Sequence, residues 1–322
     1  MDRKMEVGIL GATGMVGQQF IRFLEGHPWF DVTWLGASSR SAGKKYAQAA
    51  RWTLAGSIPG AIADQRVDEA KPGSGNPPKL LFSALDASVA GEIEQAFAAA
   101  GHFIVSNSRN HRMDSDVPLL IPEVNSGHLG LLPVQREKRG WSGAIVTNPN
   151  CSTITMALGL APLKPFGIKK ILAATMQAIS GAGYPGLPSM DILGNVIPYI
   201  GGEEEKMETE TQKILGSFAD GRIEPLPAAV SAHCNRVAVI DGHTVAVSVE
   251  LEQKPGVEAL REAFAAFRGL PQERNLPSAP RQPVHVMTAN ERPQPRKDAL
   301  LENGMAVSVG RVRECPILDY KF

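Results

Sequence analysis

Met5-Glu6-Val7-Gly8-Ile9-Leu10-Gly11-Ala12-Thr13-Gly14-Met15-Val16-Gly17 joins an apolar strand, a glycine-spaced loop and the start of an amphipathic helix running to about Glu25. Glycines at 8, 11, 14 and 17 permit a tight turn, a close backbone approach to a pyrophosphate and tight helix–strand packing. The helix start supplies N–H groups and a positive dipole end for an anion. The spacing departs from strict GxGxxG, and glycines also mark plain turns. The order of strand, loop and helix at the head of the chain is what favours a dinucleotide.

Residues 31–37 read as the second strand and end in Ser38-Ser39-Arg40-Ser41. An acidic residue here would hold the ribose 2′-hydroxyl of NAD. Hydroxyls and an arginine suit a 2′-phosphate instead, so the expected cofactor is NADP; the competing reading is a solvated loop arginine. After a Pro/Gly-rich loop at 71–78 come a strand at 80–83, a helix at 86–100 with Asp86 as N-cap, and a strand at 103–106. This alternation predicts a parallel, doubly wound sheet over residues 1–149. The polar segment Asn107-Ser108-Arg109-Asn110-His111-Arg112 follows a strand at the end where such sheets bind ligands. Arg112 there suits an anionic substrate group or is a plain surface arginine.

The second informative stretch is Thr147-Asn148-Pro149-Asn150-Cys151-Ser152-Thr153. A short buried strand at 145–147 runs into Pro149, and residues 152–160 are apolar and helix-compatible. Cys151 therefore falls at a helix mouth, where unpaired N–H groups and the macrodipole favour a thiolate. That is the setting of a covalent nucleophile, although a lone cysteine also fills buried turns.

Beyond it the pattern changes. Residues 169–178 form a β-like run ending at Gln177, before the glycine-rich Ser180-Gly181-Ala182-Gly183-Tyr184-Pro185-Gly186. Gly201-Gly202-Glu203-Glu204-Glu205-Lys206 opens a polar helix; by itself the acidic run is an ordinary solvated helix start. Residues 234–243 read as a hairpin with an Asp241-Gly242 turn, which puts Arg236 and His243 on one face. They flank a site, or His243 is structural. A strand at 245–251, a helix at 256–268, an irregular Pro-rich connection at 271–295 and a strand at 305–313 complete the chain.

Composition fits a soluble enzyme of two ordinary domains: 322 residues, 43% hydrophobic, 20% charged. Lys+Arg and Asp+Glu balance at 33 each, so no global field points to nucleic acid or an anionic membrane. Cys151, Cys234 and Cys315 lie far apart and form no CxxC pair, which argues against a zinc site or disulfide framework and for a reducing cytoplasm. Met1-Asp2-Arg3-Lys4 leads at once into a strand, without a signal-peptide core, and no metal site is indicated.

Taken in order, Gly11-Ala12-Thr13-Gly14, Ser38-Ser39-Arg40, Ser106-Asn107, Asn148 to Thr153, Gln177 with its glycine-rich loop, and Arg236 seven residues before His243 form a specific set. The chain resembles aspartate-semialdehyde dehydrogenases of the archaeal and fungal branch over essentially its whole length. The resemblance implies an α/β protein like glyceraldehyde-phosphate dehydrogenase in fold: a Rossmann-type domain (1–149) and an α+β catalytic and dimerisation domain (150–322). It implies NADPH-dependent reduction of L-aspartyl 4-phosphate to the semialdehyde, with phosphate released, in a homodimer or homotetramer. Cys151 is then the nucleophile, His243 the general acid/base, and Gln177 orients the thioester. Arg236 holds the substrate α-carboxylate, Glu204 its ammonium, and Arg112, Lys206 and Asn150 the phosphate. Cofactor contacts fall to Gly11, Thr13, Gly14, Met15, Val16, Ser38, Ser39, Arg40, Ser83, Ser106, Asn107 and Gly181.

Such enzymes usually continue into a Gly/Ala-rich helix that returns to the nucleotide domain. The sequence ends at Phe322, and weaker NADP binding than in complete relatives is expected. Rival substrates of the same fold are N-acetyl-γ-glutamyl phosphate and acyl-CoA. An acylated amine would leave Glu204 without a charge partner, and CoA has less need of Arg112 and Lys206. A nucleotide-binding protein without turnover has no chemical reason to keep Cys151, Gln177 and His243 together.

Overall fold

The computed structural model describes residues 4–322; Met1, Asp2 and Arg3, from the tetrapeptide leading into the first strand, lie outside the described residues. The chain divides into two compact units. The first comprises 4–119, 128–148 and 220–222, and the second 120–127, 149–219 and 223–322.

The first unit is built on six strands: β1 (Met5–Leu10), β2 (Phe30–Ala37), β3 (Val67–Glu69), β4 (Leu80–Ser83), β5 (Phe103–Ser106) and β6 (Ala144–Thr147). All pairings are parallel, in the order β3-β2-β1-β4-β5-β6. The order reverses at β1, where an open α/β sheet leaves a crevice for ligands at the strands' carboxyl ends. Apolar side chains are buried on both faces. Val7 and Ile9 pack with Ile21 and Leu24 of the helix Met15–Leu24, while Leu10 and Leu81 pack with Phe97 of the helix Ala87–Ala99. Gly8 sits between these layers because a Cβ there would lie 2.6 Å from Leu81 and 2.9 Å from Trp34. Asp86 caps its helix as expected, accepting from the Ser88 N–H at 2.9 Å.

The second unit is organised on β7 (Ile168–Gln177), which alternates buried Ile171, Ala173, Thr175 and Gln177 with less buried neighbours. It pairs in parallel with the strand Ala229–Val237 and antiparallel with the strand Thr244–Leu251. The anticipated hairpin over 234–243 is therefore absent: β7 lies between its two supposed arms. The intervening segment bonds instead to the extension of β7, Ile179 N–H to Val239 O at 2.7 Å and Ser180 N–H to Ile240 O at 3.1 Å. The Asp-Gly pair is a local turn signal, and long-range pairing with an apolar ten-residue strand outcompetes it. The Pro-rich connection also holds more order than expected, with the strand Val284–Met287 paired to Val307–Gly310.

The helix Glu203–Ile214 packs beside Ala229–Val237 and shows why its acidic residues are there. Among the described residues only a two-residue strand, Val196–Ile197, covers that edge, pairing with Arg236 and Val237. The edge N–H groups of Ala232 and Cys234 are taken by Glu208 and Glu204, each at 3.1 Å. Two carboxylates one helical turn apart thus match two N–H groups two strand residues apart.

Candidate active site

Asn150 N-caps the helix Cys151–Leu160: its Oδ1 accepts from Ser152 N–H at 3.0 Å and Thr153 N–H at 3.2 Å. Its own N–H donates to Glu210 Oε2 and its amide to Glu203 Oε2, both at 2.7 Å. Lys206 Nζ donates to Glu203 Oε1 at 2.8 Å. Positions 203, 206 and 210 recur at helical spacing, so one face of the helix Glu203–Ile214 holds the turn before Cys151 while Glu204 and Glu208 seal the neighbouring strand. In the sequence the mark of Glu203 is its i,i+3 spacing to Lys206.

Cys151 stands exposed at the first position of its helix. His243 Nε2 lies 3.0 Å from its Sγ, although the residues are 92 apart in sequence. The surrounding protein bulk and the Glu203 carboxylate push the thiol above its ordinary range, against the opposing pull of the Ser152 and Cys151 N–H groups. The anticipated lowering is outweighed: burial is the largest influence and the facing Glu203 carboxylate adds to it, so the N–H groups at the helix start do not prevail. Burial, and then Arg236, hold His243 below its ordinary value. Burial also works to raise Glu203, but the hydrogen bonds from Lys206 and Asn150 outweigh it and hold the carboxylate ionised.

Gln177 ends β7 at 1% exposure, in register with Arg236. Its amide Nε2 is buried and outside strict hydrogen-bond geometry with any partner among the described residues, but the side chain lies close enough to the Glu203 carboxylate to help hold it ionised. Arg236, 5% exposed, donates to Ala178 O at 2.7 Å. Gly181 belongs to this cluster: a Cβ there would lie 2.8 Å from the Arg236 guanidinium and 3.2 Å from the His243 ring. Cys151, His243, Gln177, Arg236, Asn150, Glu203, Lys206 and Gly181 all belong to the second unit, and Arg112 to the first. There the Arg112 guanidinium donates to Asn107 O at 3.0 Å.

The residues expected to hold the nucleotide, Gly181 apart, cluster at the carboxyl ends of β1, β2, β4 and β5. Gly11 takes φ +73° and a Cβ on it would meet Ala84 O at 2.6 Å; a Cβ on Gly17 would meet Gly11 O at 2.4 Å. Gly14 N-caps the helix with no side-chain cap, leaving Thr13, Met15 and Val16 around an uncapped helix start. That cradle fits a pyrophosphate. Ser38, Ser39 and Arg40 are exposed at the end of β2, a donor set that fits a 2′-phosphate. The Ser83 and Ser106 hydroxyls turn inward and donate to Glu94 Oε1 at 2.6 and 2.7 Å. Asn107 Oδ1 accepts from Asn148 Nδ2 at 2.8 Å.

A glycine-shaped helix start in one unit and a helix-mouth cysteine bonded to a histidine in the other fit one class, the nicotinamide-dependent oxidoreductases. Residues 6–131 match the family model described as semialdehyde dehydrogenase, NAD binding domain, and 160–322 the semialdehyde dehydrogenase, dimerisation domain. The chain is 52% identical to an aspartate-semialdehyde dehydrogenase of Methanothermobacter thermautotrophicus, covering 96% of this chain and 89% of the relative. Identity to the Cryptococcus neoformans protein of the same name is 49%, covering 99% and 91%. The crystal structure of the Candida albicans aspartate semialdehyde dehydrogenase with NADP superposes with a TM-score of 0.91 at 43% identity, covering 99% and 92%. The chain belongs to the aspartate-semialdehyde dehydrogenase family.

Proposed function

We propose that the chain reduces L-aspartyl 4-phosphate to L-aspartate 4-semialdehyde with NADPH, through a thioester on Cys151. The observation that carries this reading is the 3.0 Å contact between Cys151 Sγ and His243 Nε2 at the start of the helix Cys151–Leu160. The Cys151 sulfur attacks the acyl carbon, the carbon–oxygen bond to phosphate breaks, and phosphate departs. The cofactor supplies the hydride that converts the thioester to a thiohemiacetal, whose collapse frees the aldehyde and the sulfur. The buried Gln177 amide orients the acyl group, and Arg236 pairs its planar guanidinium with the substrate α-carboxylate.

The ammonium partner in this reading is Glu203, whose carboxylate faces the nucleophile turn, while Glu204 faces the strand edge at the Cys234 N–H. A charged acceptor here favours a free α-amine over an N-acylated one. Lys206 and Arg112 take the phosphate, and Asn150 fixes the turn. Gly11, Thr13, Gly14, Met15 and Val16 hold the pyrophosphate of NADP, Ser38, Ser39 and Arg40 its 2′-phosphate, and Ser83, Ser106 and Asn107 border it through their backbone. Gly181 borders the nicotinamide side.

The enzyme works as a homodimer or homotetramer. Leu172 and Met176 stand 45% and 38% exposed on β7, an interior strand of its sheet, so that face calls for a cover, and a second copy is the cover proposed. No described helix is long and apolar enough to cross a membrane; a cytoplasmic biosynthetic enzyme is the proposed setting. The test is NADP reduction by aspartate semialdehyde with and without phosphate. Phosphate-dependent turnover that Cys151→Ala abolishes supports the reading; turnover that survives the substitution overturns the thioester route.

A further inference from the structure

The peptides of the loop Gly11 to Gly14 are held from several sides. The N–H groups of Gly11 and Ala12 both donate to Gly36 O, at 2.8 and 3.1 Å, and Gly14 N–H donates to Gly11 O at 3.1 Å. The carbonyls of Ala12 and Thr13 are taken by side chains from outside the loop. Tyr46 Oη donates to Ala12 O at 2.9 Å, and Gln18 Nε2 to Thr13 O at 3.1 Å. Among the described residues, the Thr13 N–H is the one backbone donor from Gly11 to Gly14 left without a partner in the protein.

Its direction is set through Ala12. The Ala12 carbonyl and the Thr13 N–H share one planar trans peptide and point opposite ways. Tyr46, 34 residues further along the chain, lies inward: it is fully buried in the cluster that holds Val7, Ile9, Ala12 and Ile21. Drawing the carbonyl to the phenol therefore turns the Thr13 N–H away from this core, one residue before the Gly14 cap. The helix beyond that cap starts with Met15 and Val16, whose N–H groups have no acceptor within the helix. A carbonyl only accepts, so the phenol is the donor. Burial holds its proton well above the ordinary tyrosine range, which keeps that donor intact at neutral and mildly alkaline pH.

We propose that Tyr46 is a positioning residue for the dinucleotide: by pinning the Ala12 carbonyl inward, it aims the Thr13 N–H at the pyrophosphate. The proposal rests on the reading of the glycine loop as the pyrophosphate site and names a residue outside the loop that shapes it. Released from Tyr46, the Ala12–Thr13 peptide is free to turn its carbonyl outward, and a carbonyl oxygen where an N–H should stand repels an anion. Gln18 does the matching work on the next peptide: holding Thr13 O leaves Gly14 N–H to close the turn on Gly11 O. Gln18 is itself fixed, donating to Arg51 O and accepting the Thr53 N–H, both at 2.8 Å.

Two binding measurements on the full chain test this. The first titrates NADP and, separately, adenosine 2′-monophosphate, which carries the adenine and the 2′-phosphate but no pyrophosphate. Tyr46→Phe removes one oxygen and keeps the ring in its pocket. It should weaken NADP about tenfold or more, the scale of a lost hydrogen bond to a charged group, and leave the monophosphate unchanged. Equal weakening of both ligands would mark a general loosening of the unit, and unchanged NADP affinity a bystander hydroxyl; either overturns the proposal. The second needs no variant of Tyr46. In chain labelled with 15N-threonine, with Thr13 assigned by comparison with Thr13→Ser, the Thr13 amide should shift downfield on adding NADP and hold still on adding the monophosphate. A Thr13 amide that NADP does not move overturns the proposal as well. A wild-type chain that takes up neither nucleotide is a separate failure, that of the cofactor reading itself, and the proposal falls with it.

Discussion

The two proposed functional regions of this chain are built from different materials. The nucleotide cradle is local and made of backbone: within seven residues, Gly11, Gly14 and Gly17 shape a loop whose function is to have no side chains. The catalytic cluster is non-local and made of side chains: Cys151, Gln177, Glu203, Arg236 and His243 come from five separate segments. A backbone site is damaged by adding atoms, and a side-chain site by removing or neutralising them. The two should therefore fail separately.

The sharpest separation is expected at their centres. Cys151→Ala should reduce turnover by at least about 10³-fold while leaving nucleotide titration unchanged, because it removes the covalent step alone. Gly17→Ala should do the reverse. Its methyl would lie 2.4 Å from Gly11 O, a backbone atom with no freedom to yield. NADP affinity should fall at least about tenfold, one decade per 1.4 kcal/mol, with Cys151 alkylation unaltered. If one substitution damaged both readouts, the separation would be lost.

The same contrast governs what the sequence disclosed. The parallel sheet, the Asp86 cap, the glycine loop and Cys151 at a helix mouth were readable because each depends on neighbours within a turn or two. The adjacency of Arg236 and His243 was expected too, but for a different reason than the one that holds. No hairpin joins them; β7 lies between their strands, and pairing across some sixty residues leaves no local trace. Glu203 was hidden among three consecutive glutamates, which composition cannot rank. Burial ranks them: Glu203 turns to Asn150, while Glu204 turns to a strand edge whose lack of a full-length partner is a fact of topology.

The pH response sharpens the comparison within the catalytic cluster. Cys151 is pushed above its ordinary range and His243 below its own, so a thiolate–imidazolium pair is disfavoured at neutral pH. Alkylation of Cys151 should accordingly rise with pH to an inflection above the usual cysteine range, without the acidic plateau an ion pair would give. Glu203→Gln removes a negative charge that pushes the thiol up, and should move that inflection down. Buried Cys234, held up to about 11, should react slowest of the three cysteines throughout. The same Glu203→Gln variant should raise the KM for aspartate semialdehyde about tenfold or more, the loss expected when a charged ligand group loses its ionised partner.

The smallest expected effect is the most discriminating, because it compares two adjacent glutamates. Glu204→Ala deletes an acceptor from the Cys234 N–H and touches none of the groups that hold Asn150. The lost bond is a charge-assisted one at a partly buried strand edge, worth about 1–2 kcal/mol of stability. Thermal unfolding should shift down by a few degrees, since a chain of this size moves about 2 °C or less per kcal/mol. KM and the alkylation profile should stay as they are. Glu204→Gln, which keeps an acceptor oxygen, should recover most of the loss. If Glu204→Ala instead raised KM as Glu203→Gln is expected to, the ammonium would belong to Glu204 after all. The helix would then have to rotate by about 100° on substrate binding, one residue of a 3.6-residue turn, exchanging a sealed strand edge for a substrate contact.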